Sequence, residues 1–172
     1  MDAVVSTLAP IIIPSLFKAI GNAMNDVAKQ GTDIDHSNLS GNHLLYQGRA
    51  IKHLSLWQAR MRGKVDLTKS RIHRVDASEA EINNFAIVEA TINLLDISNS
   101  TIDYLDVRKA RVNIIDAYRA KIGTLDLRGA RVVNLDISFA TIGNIIRDQA
   151  MIVFEDTDNA TVGNSEQEIG ES

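Results

Sequence analysis

From Ser70 to Asn164 the sequence returns to itself every ten residues, and each ten is two fives. Counted from Ala90 the tens read ATINLLDISN, STIDYLDVRK, ARVNIIDAYR, AKIGTLDLRG and ARVVNLDISF. The first five is small-x-Ile/Val-x-x, and the second is Leu/Ile-Asp-aliphatic-x-x. A period of five fits neither the 3.6 of a helix nor the 2.0 of a flat strand. It fits a solenoid in which each five makes one side and one corner of a coil. The central aliphatic residue then points inward. So does the residue two before it, which must be small where the coil is tight. The other three positions face water or form the turn.

Upstream the frame slips. AIKHLSLWQARM centres its fives on Ile51, Leu56 and Met61, and one extra residue in the RGK region moves the next centre to Leu67. TDIDHSNLSGNHLLY centres its fives on Ile34, Leu39 and Leu44. The slips are expected to be loops or bulges at corners. Residues 32–164 therefore hold about 26 fives, between an apolar arm at 1–31 and an acidic tail at 165–172.

The run resembles the pentapeptide-repeat proteins, whose motif is roughly A/S-D/N-L/F-x-x. SNLSG, from Ser37 to Gly41, matches it almost letter for letter; LDLRG and LDVRK match with Leu in the small position. The resemblance implies an all-β fold, a right-handed quadrilateral parallel β-helix of about 20 residues per coil. This chain departs from the family in two ways. Its centres are Ile, Leu and Val rather than Phe, and every second five has Leu, Ile, Val or Phe where the family prefers Ala. Alternating Ala and Leu predicts two tightly filled sides and two wider ones.

Hydrophobic residues make up 45% of the chain and charged residues 23%, enough for a core. The absence of Cys excludes disulfides and Cys metal sites. Residues 32–79 carry eight Lys/Arg and five Asp/Glu, a net +3; residues 80–172 carry eight and fifteen, a net -7. The basic run RMRGK is expected to be a solvated loop. The apolar N-terminus lacks a positive n-region, and Pro10, Pro14 and Lys18 interrupt it, so neither a signal peptide nor a transmembrane helix is expected. The expected location is the cytoplasm, or a virion or other large assembly.

Stacking at twenty residues sorts the surface into columns about 4.8 Å apart in step, on a rod roughly 30 Å long. One face carries the acidic ladder Asp76, Asp96, Asp116, Asp136 and Asp156. The opposite face carries Asp106 and Asp126 beside Arg108, Lys109 and Arg128. Stacked carboxylates need backbone N–H partners or nearby cations. Asp before the central residue is thus a turn-forming part of the repeat, with mimicry of a nucleic-acid backbone as the functional alternative. A third face holds Thr101, Thr141 and Thr161 with Gly123, Gly143 and Gly163. These glycines are expected to supply turns with positive φ; close approach of another chain is the alternative. The fourth face stacks Leu94, Ile114 and Phe154, with Val133 and Val153 adjacent. Such an outward apolar stripe marks either self-association or a seat for the N-terminal arm.

Ser15 to Gln30 reads as a helix, with Leu16, Ile20, Ala23, Met24 and Val27 on one face and Gly31 as its stop; the segment before it reads as extended or broken by proline. Leu16, Phe17, Ile20 and Met24 are the candidate contact residues of the arm. It is expected to cap the first coil or to insert into a partner. His36, His43, His53 and His73 are scattered, without the spacing of a zinc site, and no phosphate loop is present. No enzyme, cofactor, metal or small-molecule substrate is expected, and nucleic acid is not an expected partner. The pattern predicts a structural or protein-interaction rod, self-associating or bound to a protein partner. The alternative, implied by the resemblance, is an acidic mimic that binds DNA gyrase.

Overall fold

The computed structural model describes the backbone of residues 2–166 and the side chains of residues 13–164. After a helix, α1 (Asp2–Gln30), come β1 (Thr32–Asp35), β2 (Ser40–Gly41), β3 (Leu44–Leu45), β4 (Ala50–Ser55) and β5 (Arg60–Asp66). From there a six-residue strand starts every ten residues, from β6 (Arg71–Asp76) to β15 (Thr161–Glu166). Each strand pairs in parallel with the strand two before and two after it. Val112 lies between Ile92 and Val132, and Leu105 between Phe85 and Leu125. One coil is therefore about 20 residues and contributes one strand to each of two sheets. The first is seven-stranded; the second is eight-stranded, counting the short β3. The chain is a parallel β-solenoid.

The ten-residue beat comes from the turn. Six residues run extended, rich in β-branched Ile, Val and Thr. Four then reverse the chain, and the third of these has positive φ. It is Asn99, Lys109, Arg119, Gly129, Phe139, Gln149 and Asn159 in successive turns. A bond across the turn closes it, as from Ala130 N–H to the Leu127 carbonyl at 2.8 Å, while Leu127 N–H reaches the next coil at the Ile146 carbonyl, 2.8 Å. The last residue of each turn is Ala or Ser from Ser70 to Ala140, almost fully buried. It packs where the coil is tightest. Leu, Ile, Val or Phe fills the corresponding inward position of the other two sides, as at Phe85, Leu95, Ile115 and Leu135. The alternation of small and large residues is thus a filling rule for one layer.

The slip at RGK is a bulge: the β5–β7 (Glu81–Ala86) register shifts between Met61 and Lys64. Gly63 is required there, because a Cβ would lie 2.2 Å from the Asn42 carbonyl oxygen. The first coil departs from the sequence frame. Ile34 lies beside Leu54, Ser40 beside Arg60 (hence Leu39 beside Ala59), and Leu44 beside Val65. These three residues fill the column of the residue two before the centre, not the central one. Both positions point inward, so an aliphatic side chain satisfies either, and the pattern alone does not distinguish them.

Some of the inward columns end in polar pairs. At the first coil His36 and Tyr46 meet across the rod, Nε2 to Oη 2.6 Å. Near the last coils Arg147 continues the column of Leu127, and Glu155 that of Leu135. The two form a bidentate pair at 2.9 and 2.6 Å. Each pair lies near one end of the apolar core and puts side chains that tolerate water there.

The helix also departs from expectation. It runs from Asp2 straight through Pro10 and Pro14. Proline removes one N–H and crowds the carbonyl four residues back. Four positions apart, both prolines disturb the same side of the helix. Nor does α1 cover the first coil. It lies along the flank of the seven-stranded sheet, against its successive strands, with Leu16 and Ile20 packed on Val133 and Met151.

Two substitutions at positive-φ turn positions should move stability in opposite directions. Glu89→Gly relieves a strained exposed residue and should stabilise by about 0.5–1 kcal/mol. Gly129→Val should destabilise by at least about 1 kcal/mol. Denaturant midpoints of the two variants against the parent check both signs.

Candidate interaction faces

The sheet flank under α1 gathers apolar side chains outside the core. Leu16, Ile20, Ala23 and Val27 recur at steps of four, three and four and are all buried. Met24 and Met151 pack beside them. Asp26 approaches Arg71 at 3.9 Å, and Gly31 ends the helix with its N–H on the Val27 carbonyl, 2.8 Å. Of the four arm residues singled out from sequence, Leu16, Ile20 and Met24 are thus used within the chain. Phe17 points away and is 48% exposed.

The sequence-derived stripe divides in two. Val133 is buried beneath α1, and Val153 is half-buried. Leu94 and Ile114 are half-buried one column further along the strands, and Phe154, in the last strand of that sheet, is 65% exposed. Leu94, Ile114, Asn134 and Phe154 are successive register partners, so they form one line up the rod.

The acidic ladder is made of turn caps. Asp76, Asp96, Asp116 and Asp136 accept the backbone N–H two residues on, from Ser78, Ser98, Tyr118 and Ser138, at 2.8 to 3.1 Å. Short polar side chains favour this local bond at turns. Arg74 sits between the lower pair, 3.8 Å from Asp76 and 3.7 Å from Asp96. No cation lies within salt-bridge distance of Asp116 or Asp136 among the described residues. Burial, and repulsion from Asp96 and Asp136, push the Asp116 carboxyl up despite the Tyr118 N–H.

The opposite ladder is neutralised. The Asp126 side chain is 0% exposed, receives two nitrogens of Arg128 and the Tyr104 hydroxyl, and has Arg108 Nε at 3.7 Å. Burial alone would raise its carboxyl, but the bonds from Arg128 and Tyr104 outweigh that and hold it below the usual carboxylate range. Asp66 behaves alike: burial is overcome by Lys64, Thr68 and Gln47. Arg108 closes a bidentate pair with Asp106 at 2.8 and 2.7 Å.

The glycine column differs from expectation. Positive φ occurs at Gly48 and Gly129, not at Gly123, Gly143 or Gly163. Those three stack at a close backbone approach within the chain: a Cβ would meet the carbonyl oxygen of the preceding coil at 2.4 to 2.6 Å. A further cluster was not singled out from sequence. Tyr118 and Phe139 pack edge-on at 5.6 Å, with the Arg119 guanidinium over both rings. Arg119 and Phe139 are twenty residues apart, which is the signal that could have joined them. His53 bonds Asp33 at 3.0 Å and packs edge-on to His73. Among the described residues no group of three His, Asp or Glu is placed to hold a metal ion, and no helix is long and apolar enough to cross a membrane. Comparison with protein-family models, with curated proteins and with solved structures found no match.

Asp116 should titrate with the opposite sign to Asp66 and Asp126. Asp66 and Asp126 have depressed folded values, so their contribution is present above about pH 4 and lost as pH falls further. Asp116 is raised, so its charge opposes folding at neutral pH. Asp116→Asn should therefore stabilise at pH 7, on the order of 0.5 kcal/mol, and the gain should vanish in acid. Asp126→Ala leaves Arg128 and Tyr104 without their shared acceptor and should destabilise by about 1–2 kcal/mol at pH 7. Urea unfolding of the three proteins at pH 7 and pH 3 tests the pattern.

Proposed function

We propose that the chain is a non-enzymatic interaction module of the pentapeptide-repeat kind. It is a rigid rod whose sheet flank and N-terminal helix make contact with protein, in the cytoplasm or within a larger assembly. The observation that carries this is the gathering of apolar side chains outside the core on one flank. Phe17, Leu94, Ile114 and Phe154 lie on or beside the helix-covered sheet, and each is only partly shielded. Partly exposed apolar side chains gathered on one flank, here interrupted by Asn134, are characteristic of contact surfaces. The coil ladder supports rigidity, since every strand between the first and last coils is bonded on both edges.

The gyrase-binding alternative requires a concentrated negative field. The arrangement of charge speaks against it. One ladder is paired with Arg108, Arg128 and Lys64, and the other is interrupted by Arg74.

Affinity capture from extract of the source cell, read by mass spectrometry, tests the proposal. Protein partners should be retained by the parent chain and lost when Phe17→Asp and Phe154→Asp are combined. Capture of no protein by the parent, or of gyrase subunits by parent and variant alike, would overturn it. In a supercoiling assay the chain should leave gyrase activity unchanged.

A further inference from the structure

The helix is longer than the sheet that carries it. Near its C-terminal end α1 meets β4 and β6, through Gly31 beside Lys52 and Asp26 beside Arg71. By Leu16 and Ile20 it has reached Val133 of β12 (Arg131–Asp136) and Met151 of β14 (Met151–Asp156). Fourteen residues from Gln30 to Leu16 at 1.5 Å each advance about 21 Å. Five strand steps, from β1 to β12, advance about 24 Å. The helix therefore runs along the rod axis. β14 is the last strand of that sheet among the described residues, yet α1 continues for residues 2–15 beyond Leu16. Residues 2–12 alone amount to about 16 Å of helix beyond the last strand of that sheet among the described residues. Their sequence, DAVVSTLAPII, has one charge.

The matching vacancy is the column of Leu94, Ile114 and Phe154. It lies one position further along the strands than the Val133 column that α1 covers, and it is most exposed at the terminal strand, where Phe154 stands. Sixteen ångströms of helix spans roughly three strand steps, which is the distance from Phe154 through Asn134 to Ile114 and Leu94. A two-fold axis along the sheet normal, at the C-terminal end of the rod, would bring two such sheets end to end. It would set their helices antiparallel and side by side. Each overhang would then lie on the other chain's open column, an isologous contact that closes on itself.

We propose that the partner of this flank is a second copy of the chain, joined tail to tail, with each α1 crossing onto the Leu94–Ile114–Phe154 column of the other. This rests on the interaction role argued above and names one partner for it.

Light scattering on the full chain at tens of micromolar should give twice the mass of the 18.9 kDa chain. Phe154→Asp, at an exposed site, and Ile114→Asp should each halve it while circular dichroism stays that of the parent. The chain has no cysteine, so Val5→Cys and Asn134→Cys can be placed on separate chains. Mixed and treated with a short bismaleimide, they should give a cross-linked dimer; Val5→Cys alone should not. A parent chain of monomer mass overturns the proposal, as does a dimer that survives Phe154→Asp or gives no cross-link in the mixture. Those results leave capture of other proteins as a separate question, so the dimer can fail while the interaction role stands.

Discussion

Everything in this molecule hangs on the bond from each coil to the coil twenty residues on. Backbone N–H groups of one strand find carbonyls of the next in a parallel ladder, and the turn residues join in. Ile97 N–H reaches the Asp116 carbonyl and Asn99 N–H the Tyr118 carbonyl, at 2.8 and 2.9 Å. The ladder leaves no freedom of register: one residue more or fewer turns inward side chains outward. The extra residue of the RGK region is taken up as the bulge at Gly63. There the chain needs a residue without a Cβ.

Register at twenty forces like beside like. That is harmless for aliphatic columns, which simply lengthen the core, but it stacks carboxylates. The two sheets solve the problem differently. In the eight-stranded sheet Asp66, Asp106 and Asp126 are buried and taken up by Lys64, Arg108, Arg128 and Tyr104. In the seven-stranded sheet the carboxylates stay partly in water and are held by backbone N–H groups. Asp116, between two others and partly buried, bears the remaining repulsion. An Asp that caps a turn is thus an element of the fold first, and only the partly exposed ladder has any field to offer a partner.

The solenoid was legible because its period is short and repeated. Ala90, Ala110 and Ala130 mark the tight positions, and Asp96, Asp116 and Asp136 mark the turns beside them. What was not legible depends on neighbours rather than on period. SNLSG matches the family motif best, yet Leu39 lies beside Ala59, because an inward aliphatic fits either column. Gly123 looks like a turn residue, but its role is set by the Asp103 carbonyl of the coil below. The helix passes through two prolines that argued for a break. Its seat is fixed by Val133 and Met151, more than a hundred positions away in sequence. Arg147 and Glu155 look like failures of the repeat and are a pair near the end of the core.

These irregularities explain how a repeating rod can be finite. A solenoid built only of its own repeat has no reason to stop, since each coil offers its successor the same edge and the same apolar lumen. Here some inward columns stop in polar pairs near each end, His36 with Tyr46 and Arg147 with Glu155, while Leu44 at one end and Val162 at the other continue their neighbours. An aliphatic coil stacked directly on either would have to bury them, and burying an ion pair carries a desolvation penalty that a hydrophobic neighbour does not repay. Continued growth of the core is therefore disfavoured at the ends, while the apolar surface that remains has been moved to the flank. Contact made through that flank and the helix on it does not need the apolar core to run on from one chain into the next, and that division of labour follows from which inward positions the sequence makes polar.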